Sequence, residues 1–249
     1  MTFQLLPLLD TMLSFYEKPL NPERFQAYLQ LLQGDTKGDL VLPIGGFNPM
    51  AKSHILLKIK ELKTIQAEDV IAETLAEVNQ KWQFKGKEQT FRVALNIADD
   101  LHGGWTNRFT TDYDSKFKIN ALVNRNFCTP FFWSSENYDV NLIRERTLAA
   151  AYNTIYWLEH PKPLTLKNHI EQLQFVTQHI DNQHIEINNN FTQLKQIYEQ
   201  NVLREDFHFI FNFLYGDAAS EQLAFPTFGI EGIYTGFEFV KWSILNKKS

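Results

Sequence analysis

Apolar residues recur at helical spacing through most of this chain, and short apolar runs interrupt them in its first half. The opening apolar stretch, up to Tyr16, predicts a first helix. Asn21-Pro22-Glu23 predicts a cap with proline at the first helical position, opening a helix with Phe25, Leu29 and Leu32 on one face and Gly34 at its end. Residues 39–44 form a buried strand candidate that stops at Gly45-Gly46. Asn48-Pro49 repeats the cap-and-proline device before a helix carrying Ile55, Leu56, Ile59 and Leu62, and the next carries Val70, Ile71, Thr74, Leu75, Val78 and Trp82.

Residues 91–97 alternate loosely and give a second strand candidate, and 128–133 a third, whose Pro130 belongs at a strand edge or end. A long helix follows Asp139 and stops near Glu159, where His160-Pro161 and Pro163 cannot continue it. Everything after that has helical spacing. The expected fold is α/β or α+β and predominantly helical, with a small central sheet of about three or four strands and a helical C-terminal third. No linker, repeat or charge block divides the 249 residues, so the expectation is a single compact domain, 1–249.

Composition adds a large aromatic content, with 21 phenylalanines, and so a thick apolar interior. The net charge of −5, from 24 basic and 29 acidic residues scattered along the chain, supplies no positive field for a phosphate backbone, which argues against nucleic acid. Cys128 is the only cysteine, which leaves no intrachain disulfide and fits a reducing compartment. The apolar start lacks a basic leader region, and the run 230–245 is short and carries Glu231, Glu238 and Lys241. The expectation is therefore a cytoplasmic protein with no membrane segment, with room for a homo-oligomer.

Two stretches concentrate chemistry. The first runs from Gly45-Gly46 through Phe47, Asn48 and Pro49 to His54. Over this window the residues resemble the nucleotidylyltransferase signature GGxFxPxHxGH, in which histidines and a helix N-terminus hold the nucleotide's phosphates. By that resemblance His54 matches the last histidine. Ala51 stands where the first would be, one residue is missing between Gly46 and Phe47, and Ser53 replaces a glycine. The second signature, ISSTxxR, has no counterpart, because Ser134-Ser135 is followed by Glu136-Asn137. Local physics accounts for the window without a nucleotide: a glycine turn after a strand, then Asn48 capping a helix that Pro49 begins.

The second stretch, NIADDLHGGWTNRF, follows the 91–97 strand candidate, so Asp99, Asp100 and His102 fall at a strand's carboxyl end, where α/β folds place ligands. A carboxylate beside an imidazole orients it for acid–base work, or the set offers ligands to a divalent metal. Gly103 and Gly104 would let a ligand approach the backbone, Trp105 would form a wall, and Asn107 and Arg108 would bind an anionic group. The competing reading is a polar turn in a non-catalytic, interaction or structural protein. As an enzyme, the chain would take a small polar or anionic molecule, with His102 as acid or base and Asp99 or Asp100 orienting it or holding a metal. The sequence specifies no cofactor.

Three weaker features complete the picture. Asp112 and Asp114 either extend a metal site or form a solvated acidic loop. His160, His169, His179 and His184 are expected on helix surfaces, and Cys128 as a buried, inert thiol.

Overall fold

The computed structural model describes residues 1–35, 38–82, 89–102, 106–180 and 191–247. Among these the protein is a predominantly helical α/β chain with short, parallel strands. It divides into two compact units, Met1–Thr154 and Ile155–Ser249.

The first unit opens with a strand, β1 (Thr2–Leu5), followed by helix α1 (Leu9–Tyr16). This corrects the expectation of one opening helix. Only Phe3 within β1 is buried, so its alternation is too short to see in the sequence. Two helix side chains fix this segment. Asn79 of α4 (Ala67–Lys81) accepts the Phe3 N–H at 2.8 Å and donates to the Phe3 carbonyl at 2.9 Å. Glu68 accepts the N–H groups of Leu8 and Leu9.

Helix α2 (Pro22–Gln33) begins as its sequence predicts, with the Asn21 side chain accepting the Arg24 N–H. Its buried residues are Arg24 and Tyr28, one turn apart; Phe25, Leu29 and Leu32 are only half-buried. Residues 39–44 form no strand. They are irregular, and α3 (Ser53–Thr64) starts four residues after Pro49, so Asn48 does not cap it. The Asn48 side chain instead accepts the Met50 N–H at 2.9 Å, closing a local turn.

The 91–97 strand candidate is two strands, β2 (Thr90–Val93) and β3 (Asn96–Ala98). The 128–133 candidate is likewise β4 (Phe127–Cys128) and β5 (Phe131–Trp133), with Pro130 between them. The sheets are β1-β2-β4 and β3-β5, all pairs parallel, with Phe3 beside Phe91, Val93 beside Cys128 and Ala98 beside Trp133. Backbone bonds from Ala94 N–H to the Cys128 carbonyl and from Asn96 N–H to the Pro130 carbonyl carry the ladder across the break. Proline lacks the N–H that an unbroken strand would use. The consequence is that β3 and β5 end together, at Ala98 and Trp133. Helices α5 (Arg108–Phe117), α6 (Asn120–Val123) and α7 (Val140–Glu159) complete this part of the chain, and the division between units falls within α7. Asp112 and Asp114 lie on α5, so the expected acidic loop is a helix turn, and Asp112 is buried against Lys116.

The second unit holds α8 (Leu166–His179), α9 (Thr192–Asn201), α10 (Phe207–Tyr215), α11 (Asp217–Gln222) and α12 (Thr235–Lys247). Thr165 and Asn168 form a reciprocal capping box on α8, and Asp206 caps α10. Every residue from Phe209 to Tyr215 is buried, which puts Phe209, Phe211, Phe213 and Tyr215 of one helix into the core. His169 is buried as well, with Nδ1 at 2.8 Å from the Thr165 carbonyl, and this corrects its expected surface position. Among the described residues no helix is long and apolar enough to cross a membrane.

Candidate functional site

The common end of β3 and β5 organises the site. Asp99 follows β3 directly and is 1% exposed, because its carboxylate turns inward. Its Oδ2 lies 2.9 Å from His54 Nε2. Its Oδ1 accepts the Ser134 hydroxyl at 3.1 Å and the N–H groups of Leu101 and His102 at 3.3 Å. Burial alone would raise the Asp99 carboxyl. The hydrogen bond and charge of His54, with the Ser134 and His102 donors, outweigh it and hold the group below the usual carboxylate range.

The structure thus pairs Asp99 with the imidazole of His54, in the first turn of α3, and brings the two chemistry-bearing stretches together. An ionised Asp99 places a proton on Nε2, which donates to it, and in the neutral imidazole Nδ1 then carries the lone pair. That Nδ1 is buried and has no hydrogen-bond partner among the described residues. The His102 ring packs edge-on against His54, with centroids 4.2 Å apart. His102 itself is exposed and meets Asp99 only through its backbone.

Asp100 points into a second network. Its Oδ2 accepts from Arg108 Nη1 and from the Ser135 hydroxyl, both at 2.7 Å. Its Oδ1 accepts the Ser135 N–H at 3.0 Å and lies 3.1 Å from the Ser134 hydroxyl, as far as that hydroxyl is from Asp99 Oδ1. Burial opposes ionisation of Asp100 too, and Ser135 and Arg108 overcome it, leaving its carboxyl below the usual range. Arg108 Nη2 reaches Glu136 Oε1 at 2.9 Å, and Arg146 meets the same oxygen at 2.8 Å. The Arg108 guanidinium also lies 5.1 Å from the centroid of the Trp133 ring. Arg108 keeps about a third of its side chain exposed.

Asn107 has a structural task. Its side-chain oxygen accepts the N–H groups of Phe109 and Thr110, capping α5 and setting where Arg108 begins. The Gly45 to His54 segment lies beside β3 through Asn96, which accepts the Gly46 N–H at 2.9 Å and donates to the Pro43 carbonyl at 2.7 Å. Asn48 contributes its carbonyl to the Tyr16 hydroxyl at 2.7 Å and has no contact with the dyad. Gly103, Gly104, Trp105 and His184 lie outside the described residues.

Sequence reasoning passed over Ser134, Ser135, Glu136 and Arg146. Their signal was present: Ser134-Ser135-Glu136 directly follows the third strand candidate, at the same carboxyl end as Asp99. Among the described residues no three histidine, cysteine, aspartate or glutamate side chains are grouped to hold a metal ion. A cavity of about 570 Å³ in the second unit is lined by Leu194, Ile197, Ile233 and Glu238 among others, and by none of the candidate site residues. No protein-family model matches the chain, and neither a curated protein nor a solved structure was found similar to it.

Proposed function

We propose that the first unit is a cytoplasmic enzyme acting on a small polar or anionic molecule by general acid–base catalysis, with His54 as the base. The observation that carries this reading is the buried carboxylate of Asp99 gripping His54 Nε2 while Nδ1 has no partner among the described residues. Such a carboxylate holds the imidazole in one tautomer and stabilises the imidazolium that forms when Nδ1 takes a proton. Arg108 and its neighbour Arg146 supply positive charge for an anionic substituent, and Trp133 backs the guanidinium. His102 packs edge-on against the His54 ring.

The test is a thermal-shift screen of the full chain against small carboxylates and phosphate esters, followed by turnover of whatever binds. A ligand at a hundred times its Kd adds about 2.7 kcal/mol of stability. Arg108→Gln should abolish that gain. His54→Ala should preserve binding and cut turnover by roughly 10²- to 10⁴-fold. The reading is wrong if no member of the panel stabilises the protein, or if stabilisation and turnover survive both substitutions.

A further inference from the structure

Ser134 stands between the two networks with one proton to give. Its hydroxyl oxygen is 3.1 Å from Asp99 Oδ1 and 3.1 Å from Asp100 Oδ1, and it accepts the Asp100 N–H at 3.2 Å. The residue is 1% exposed, so no bulk water stands in for a missing donor. A single hydroxyl cannot donate to both carboxylates at once. Whichever aspartate is otherwise less well supplied takes the bond.

As the structure stands, Asp100 is well supplied, by Arg108 and by both groups of Ser135. Asp99 has His54 and two long backbone contacts. The Ser134 proton is therefore best used at Asp99, where it draws charge away from the oxygen that faces His54. A ligand anion that recruits Arg108 removes the shortest charged bond to Asp100 and reverses that balance.

We propose that Ser134 is a positioning residue that couples anion binding at Arg108 to the strength of the His54 base. When an anion takes Arg108, the Ser134 hydroxyl rotates about its Cβ–Oγ bond from Asp99 to Asp100. No covalent bond breaks and no proton changes owner. Asp99, with one donor fewer, pulls harder on the Nε2 proton of His54, and Nδ1 becomes the stronger proton acceptor. The base is thus strengthened when an anionic substrate is in place. The titratable groups facing this pair are His102 across the ring and Tyr16, which feels the charge of Asp99; Lys58, one turn along α3, is turned to Glu61 and the Glu136 carbonyl. None of them bridges the two carboxylates. This inference rests on the acid–base reading of His54.

The test follows the His54 Nε2-bound proton by NMR in the full chain, with Asp99→Asn as the control for the underlying reading. If Asp99→Asn leaves that resonance where it was, the dyad itself is wrong. If it moves upfield, the dyad stands and the coupling is judged alone. Inorganic phosphate should move the wild-type resonance downfield, and Arg108→Gln should do so without phosphate. Ser134→Ala should abolish both responses, and Ser134→Thr, which keeps the hydroxyl, should retain them. An unmoved resonance in Arg108→Gln overturns the coupling without reference to any Ser134 variant. An equal displacement in the Ser134→Ala background overturns it too, because the effect then passes through space.

Discussion

Asn96 separates two glycines that look equivalent in the sequence. A Cβ on Gly46 would come within 2.8 Å of Asn96 Cβ and of a Phe131 ring carbon, both in the strand pair, whereas a Cβ on Gly45 would meet nothing within 4 Å. Gly46 is thus required for close approach rather than for an unusual backbone angle. Gly46→Ala is expected to cost about 1–3 kcal/mol, in the range of overpacked core positions. Gly45→Ala should cost little. Chemical denaturation of both variants checks the contrast, and equal stabilities would show that the segment does not rest on β3 as described. The pair was legible as a turn, but which glycine mattered was not. That depends on Asn96, fifty positions away. The same holds for the dyad. The sequence displays Asp99 three residues from His102 and invites that pairing, yet fold contacts bring His54 to Asp99 across 45 positions. Local spacing shows which residue types are near one another in the chain. It cannot show which imidazole a strand end will meet.

At the scale of elements, helices were legible where the end signals and the packing agree. Asn21-Pro22 starts α2, and His160-Pro161 ends α7 at Glu159. Asn48-Pro49 carries the same signal and starts no helix, because the Asn48 side chain bonds Met50 and its carbonyl is taken by Tyr16. Strands were harder. Runs of two to four residues are too short for alternation to register, and residues 39–44 are apolar without joining a sheet. The candidate site is nevertheless built at the end of a strand pair. Asn107 shows how an element's start positions a candidate site residue. With its cap in place, α5 begins at Arg108 and holds that side chain against Asp100. Asn107→Ala is expected to lose about 1 kcal/mol of stability, as for other caps. It should also weaken binding of an anion at Arg108 by more than Thr110→Ala, which leaves both capping bonds to the backbone intact. Denaturation together with phosphate titration measures the two effects. A loss of stability with unchanged anion binding would mean that Arg108 is held by its ion pairs alone.

Across the whole molecule, the groups that respond to acid are divided between the two units, and the division gives stability a two-step dependence on pH. In the second unit, burial lowers the pKa of His169, which keeps it neutral in the folded state. The unfolded chain binds a proton there near the ordinary histidine value of about 6.5, and the native state does so only at lower pH. His169 therefore contributes stability above that value, and the contribution is lost as pH falls through the window beneath it. In the first unit, Asp99 and Asp100 remain ionised below the usual carboxylate range despite burial. Their contribution is present above about pH 4 and is lost only as pH falls through their depressed values. Acidification from pH 7 should thus weaken the second unit first and the first unit later. His169→Gln should flatten the dependence that sets in below about pH 6.5 and leave that of the carboxylates in place. Asp100→Asn should do the reverse. Hydrogen exchange read separately for amides of α10 and of β2 distinguishes the two limbs. The assignment fails if α10 protection in wild type is flat from pH 7 to pH 5, or if β2 protection falls over that same range with His169 intact.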